Sequence, residues 1–155
     1  MATKDEVLFC EVETRRHLDH VRELLHQIAF ELIRRGEAHD ASKFGEAEMH
    51  LYAESIPKLR DLTYGSEEYK AALAELGPAL EHHYASNRHH PEHFADGIND
   101  MTLIDIIEMF ADWKAACLKH NDGNLRKSIE INTKRFHIDA QLARIFQNTV
   151  AAMDK

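Results

Sequence analysis

Apolar residues in this chain return at intervals of three and four, and proline, which would interrupt that rhythm, occurs only at positions 57, 78 and 91. Such spacing gathers apolar side chains on one face of an α-helix, and no stretch alternates apolar with polar as a half-buried strand would. The first helix is expected from about Lys4 to Arg35, with Val12, Leu18, Val21, Leu25, Ile28, Ala29, Leu32 and Ile33 on one broad face. Gly36 is its expected stop, after two arginines whose charge suits a helix C-terminus. A second helix is expected over Glu46 to Glu54, ending before Pro57. A third opens at Ser66, with Glu67 and Glu68 in its first turn, and runs to about Leu76. Gly77-Pro78 breaks it, and Pro78 then sits in the first turn of a helix reaching about Tyr84. Residues 85–100 read as a loop. Thr102 with Asp105 resembles a capping box, Asp replacing the usual Glu or Gln, and opens a helix through Ile106, Ile107, Phe110 and Trp113 to about Lys119. Asn121-Asp122-Gly123-Asn124 is a turn, and a last helix covers Leu125 to Met153. Without repeats or linkers, the 155 residues are expected to form a single all-α bundle over 1–155.

Charge and cysteine usage narrow the function. A formal net charge of −8 argues against a general nucleic-acid or anionic-membrane binder, while a local basic pocket for a small phosphate stays compatible with it. Cys10 and Cys117 are isolated, which suits a reducing cytosol and excludes a Cys-type zinc site by count. The segment Met1–Glu6 is charged and lacks an apolar signal core, and no window approaches the roughly 18 apolar residues of a membrane span, so a cytoplasmic location is expected. The apolar faces of the first and last helices leave room for a homodimer, although a monomeric bundle would bury them equally well.

The chemistry concentrates in His82-His83-Tyr84-Ala85-Ser86-Asn87-Arg88-His89-His90-Pro91-Glu92-His93, where five histidines fall within twelve residues. His39-Asp40 lies upstream, His17 and His20 share a face of the first helix, and Asp105, Glu108 and Asp112 make an acidic stripe on the helix after the loop. Such a stripe is either solvent-facing or aimed at a cation. Imidazole and carboxylate are donors that first-row divalent metals accept, and they leave positions open for water and a phosphate oxygen. Helix phase turns only one of His82 and His83 inward. Lys43 and Arg88 are placed to pair with a phosphate. Glu46, Glu48 and Glu108 can support the ligands or protonate a leaving oxygen. His93, beside Phe94, reads as structural, Asn87 as a loop-holding amide, and Trp113 and Met109 as core. His26, His50, His120 and His137 have no partner at telling spacing and read as surface residues.

Ala38-His39-Asp40-Ala41-Ser42-Lys43-Phe44 resembles the His-Asp-x-Gly-Lys segment of the HD-domain metal-dependent phosphohydrolases, with Ser42 at the glycine position. His82 or His83 followed by His89-His90 looks like the two extra histidine positions of members that bind two metals. Ala111-Asp112-Trp113-Lys114-Ala115-Ala116 is similar to the helix carrying their last aspartate. More narrowly, the stretch from about His17 to Ala116 looks like a small bacterial and phage family with His-Asp-x-Ser-Lys, Asn-x-His-His-Pro-Glu and Glu-Met-x-x-Asp-Trp motifs. The resemblance implies an HD-type helical bundle with His17, His39, Asp40 and Asp112 as core ligands. A second site would draw on His82 or His83 with His89 or His90. It further implies one or two divalent ions (Mn, Fe, Co, Ni, Zn or Mg) and hydrolysis of a nucleotide or similar small phosphate ester through metal-activated water. Asp40, Lys43 and Glu108 would take part in catalysis, and Lys43 and Arg88 would contact the substrate phosphate. A phage or host-defence role in nucleotide metabolism would fit the narrower family. The interval between His17 and His39 is short, at 21 residues, and leaves His20 open as the first ligand. Asp112 is preferred to Asp105, which capping already explains. Two other readings keep the metal: a non-catalytic metal- or nucleotide-binding protein, and a di-iron oxygenase on the same scaffold.

Overall fold

The computed structural model describes residues 1–60, 62–63, 66–74, 76–119 and 123–153, apart from the side chains at 58 and 73. His120 and the turn residues Asn121 and Asp122 lie outside the described residues. Every regular element among the described residues is helical, so the protein is all-α. Contacts divide the chain into two compact units, Met1–Glu37 and Ala38–Lys155.

The first unit is one helix, α1 (Lys4–Ala38), which buries none of its residues. Thr3 starts it with a capping box: its hydroxyl accepts from the Glu6 amide at 3.3 Å while the Glu6 carboxylate accepts from the Thr3 amide at 2.8 Å. Pairs one turn apart brace the helix, Arg16 with Glu13 at 2.8 Å, Arg22 with Asp19 at 2.7 Å and Arg34 with Glu31 at 2.7 Å. Gly36 does not end it. A helical glycine costs only about 1 kcal/mol relative to alanine, and the helix continues to Ala38. Shortly after, Asp40 takes the left-handed conformation (φ 57°, ψ 15°) that glycine was expected to supply.

The second unit holds α2 (Glu46–Arg60), α3 (Glu67–Ala74), α4 (Gly77–Ser86), α5 (Leu103–Leu118), α6 (Leu125–Arg135) and α7 (Ala140–Met153), with short 3-10 turns at Ala41–Phe44, Pro91–His93 and Gly97–Asp100. Pro57 lies inside α2 rather than beyond it. Tyr52 of α2 packs with Leu76 and Ala79, and Leu59, past the proline, joins the same cluster, so tertiary burial overrides the local break. The single last helix expected over 125–153 is two. The break is at Phe136–Asp139, where His137 has φ 52°, Ile138 is buried, and the Asp139 carboxylate caps α7 by accepting from the amides of Gln141 (2.9 Å) and Leu142 (2.8 Å).

The larger core joins Met109, Phe110 and Trp113 of α5 to Ile129 of α6 and Phe146 and Val150 of α7. Phe110 and Phe146 stack with centroids 5.6 Å apart, and Trp113 meets Phe146 edge-on at the same distance. At the head of α5, Thr102 and Asp105 form the expected capping box in full. Helix α5 therefore has one face locked into the core. Replacing the buried Met109 by Ala should lower the unfolding free energy by about 2–4 kcal/mol. Urea denaturation would show this as a lower midpoint at unchanged slope.

Candidate metal centre

The histidines and carboxylates of the second unit meet between its two apolar clusters. The turn after α1 supplies His39 and Asp40, α4 supplies His83, the loop after it His89 and His90, and α5 Glu108 and Asp112. Two groups are able to hold a metal ion: Asp40 with His83, His89 and His90, and His39 with His89 and Glu108, each with its donor atoms within 4.8 Å of one another.

In the first group the Nε2 atoms of His83 and His90 lie 2.9 Å apart. Asp40 Oδ1 is 3.2 Å from His83 Nε2 and 3.5 Å from His89 Nε2. Donors about 2.0–2.1 Å from an ion at tetrahedral angles stand about 3.3 Å from each other, so these separations suit a shared cation. One N–H···N bond explains the His83–His90 contact. It leaves Asp40 Oδ1 and His89 Nε2, both buried, with no hydrogen-bond partner among the described residues. Buried polar atoms are seldom left so, and a cation would satisfy both at once.

The Nδ1 edges of the His83, His89 and His39 rings are tied to carboxylates. His83 Nδ1 donates to Glu48 Oε2 at 3.0 Å, and Glu48 itself is fully buried. Ser42 and Asn87 close the same corner, the Asn87 amide donating to Ser42 Oγ at 2.7 Å and to the His83 carbonyl at 2.8 Å. Glu108 Oε1 lies 2.9 Å from His39 Nδ1 and 3.1 Å from His89 Nδ1, and we read it as accepting from both. A ring that donates through Nδ1 presents a bare Nε2 lone pair, as a metal ligand must. Glu108 thus stands where it supports the rings, one of the two roles expected for it. His39 Nε2 also stands 3.6 Å from Asp40 Oδ2 and 3.6 Å from Asp112 Oδ1.

Electrostatics follow from this crowding. Burial pushes the Asp40 carboxyl up, but the adjacent His83 ring and the Lys43 ammonium outweigh it and hold the group well below the usual carboxylate range. Asp112 is also held low, the His39 ring prevailing over burial. Asp112 and then Glu108 raise His39 to about 10. Burial, with His89 and His83 nearby, depresses His90 to about 3, leaving its ring neutral and ready to ligate.

Not every expected residue joins. His82 is 47% exposed and reaches Glu48 Oε1 from outside at 2.7 Å, so helix phase turns His83 inward and His82 out. Arg88 forks onto the buried Asp105 carboxylate at 3.2 and 3.1 Å and lies over the Phe94 ring. Freeing it for a phosphate would strand that charge, so the expected phosphate contact is corrected to a structural pair. Asp105 is engaged in this pair and in its cap, while Asp112, further along α5, stands 3.6 Å from His39 Nε2. Lys43 Nζ sits 2.5 Å from Asp40 Oδ2. His93 donates to the Tyr84 carbonyl at 3.0 Å, a structural bond. His17 and His20 lie exposed on α1 in the first unit, and both donor groups come from the second. The support from Ser42 has no signal in the sequence beyond its place beside His39-Asp40.

The family model described as "Family of unknown function (DUF5662)" matches residues 6–153, and the chain belongs to that family. No curated protein and no solved structure matches it.

Two outcomes follow from the geometry. Glu48→Gln removes the charge and one of the two acceptor oxygens behind His82 and His83 and should weaken Co²⁺ or Zn²⁺ binding by about 10- to 100-fold, measured by competition with a chelating dye. The second is a pair of opposed pH trends. His39 has a folded pKa above its ordinary 6.5, so its contribution to the metal-free protein is complete below about pH 6.5 and is lost as pH rises through about 10. A cation needs the neutral ring, so the stabilisation that metal adds should grow across that window. Urea titrations with and without Co²⁺ should diverge as pH rises, and His39→Gln should flatten the metal-free decline.

Proposed function

We propose that this member of the family is a metal-dependent phosphohydrolase acting on a nucleotide or similar small phosphate ester, related to the HD-domain enzymes. The observation that supports it is the meeting of His39, Asp40, His83, His89, His90 and Asp112 beside a cavity whose wall includes His90 and Asp112. A divalent ion bound there supplies a lower pKa for its water and draws charge from a phosphoryl oxygen. Mn, Fe, Co, Ni, Zn and Mg all accept donors of this kind.

The chain's own part is positioning and charge. Asp40, held in a left-handed turn, divides its two oxygens between the His83–His89–His90 side and the His39–Asp112 side. Glu48 and Glu108 fix the rings. Lys43 neutralises the outer oxygen of Asp40 and is a cation beside the donors that could meet a phosphate.

One observation favours a second reading. Asp40, His83, His89 and His90 already make four donors, the number that closes a structural tetrahedral site and leaves no place for substrate. The cavity beside His90 and Asp112 favours catalysis, because a purely structural ion needs no access.

Full-length protein loaded in turn with Mn²⁺, Co²⁺, Ni²⁺ or Mg²⁺ should hydrolyse p-nitrophenyl phosphate or members of a nucleotide panel. Asp40→Ala should abolish both metal retention and turnover, read by elemental analysis and phosphate release. Metal retained at one equivalent with no turnover on any substrate would favour the structural site. Oxygen uptake by an iron-loaded sample would favour an oxygenase.

A further inference from the structure

The cavity that reaches the metal centre extends well beyond it, with a volume of about 330 Å³. Its direction is set by α5 and α6. Gly123 lies close against α5, since a Cβ added there would run into the Cys117 carbonyl, so α6 starts beside the end of α5. At the other end, Phe136 just after α6 stacks on Trp113 with ring centroids 6.4 Å apart. The two helices therefore run antiparallel, and the cavity lies along them.

One end is walled by His90 and Asp112, the other by Lys119 at the end of α5 and Lys127 in the first turn of α6. At 1.5 Å per residue, Lys119 lies about 10 Å along α5 from Asp112. Between the ends the wall is mixed, with Ala116 and Ile131 apolar and Ser128 and Asn132 polar and buried. The third cation of the cavity, Arg135, is held by Glu92 at 2.6 Å. Lys119 and Lys127 have no acidic partner among the described residues, in a chain whose net charge is −8. Two unopposed ammonium groups at the far end of a cavity, with a cation site at its near end, match a ligand that is negative at both ends.

We propose that the ester bound at the metal end carries a second anionic group, phosphate or carboxylate, held by Lys119 and Lys127 about 10 Å away. This rests on the phosphohydrolase reading and adds the substrate class: an elongated organic phosphate with a distal anion, in preference to a compact monoester.

Non-hydrolysable probes test it. Binding of hexylphosphonate and of 1,6-hexanediphosphonate to full-length protein, with and without Mn²⁺, is followed by calorimetry. The diphosphonate should bind the metal-loaded protein about tenfold tighter, as one added charge-assisted contact would give. Lys119→Gln combined with Lys127→Gln should erase that gain and leave hexylphosphonate affinity unchanged. Both residues are exposed, so the variant keeps its core. Equal affinity for the two probes, or a gain that survives in the double variant, overturns the distal site while metal-dependent binding of hexylphosphonate keeps the hydrolase reading intact. Hexylphosphonate binding that ignores the metal removes that reading, and the distal site with it.

Discussion

A carboxylate behind His83, His39 and His89 is the constraint on which the centre depends. His83 leans on Glu48, and His39 and His89 share Glu108. Without those acceptors the rings would be free to flip or to protonate at the inner nitrogen, and three lone pairs could not be aimed at one place. Both glutamates are buried and come from different helices, α2 and α5, so the orientation of the rings is set by how those helices pack.

The apolar architecture explains why the donors can converge. The Tyr52–Leu76–Ala79 cluster fixes α2 against α4, which brings Glu48 to His83. The Met109–Phe110–Trp113 cluster fixes α5 against α6 and α7, which presents Glu108 and Asp112 on the free side. The histidine loop joins these clusters and is pinned by Asn87, by His93 on the Tyr84 carbonyl and by Arg88 on Asp105. Each pin uses a side chain that might otherwise be taken for chemistry.

What the sequence reveals follows the range of the forces involved. Helices are legible because their period is local, and the Thr102–Asp105 cap is legible because both partners lie within one turn. The choice of Asp112 over Asp105 rests on that same local logic. Gly36 misleads because a helical glycine costs only about 1 kcal/mol, Pro57 because the Tyr52–Leu76–Ala79 cluster holds the helix on both sides of it, and the break before α7 carries neither residue, only the Asp139 cap. His39, Asp40, His83, His89, His90 and Asp112 can be picked out by residue type, yet their partners cannot. Glu48 meets two histidines 34 and 35 positions away, and Arg88 meets Asp105 across 17, distances over which only the folded chain decides. The cavity is less legible still, because Lys127 gains meaning only when α6 is laid against α5.

The spread of the donors along the chain has a thermodynamic consequence. Asp40 and His90 are separated by almost the whole first half of the second unit, and a cation held between them would act as a reversible cross-link. Closing so long a loop removes many conformations from the unfolded ensemble, much as a disulfide does, in a chain whose two cysteines are both unpaired. The same atoms that poise a centre for chemistry would then also fasten the turn after α1 to α4 and to the histidine loop that follows it.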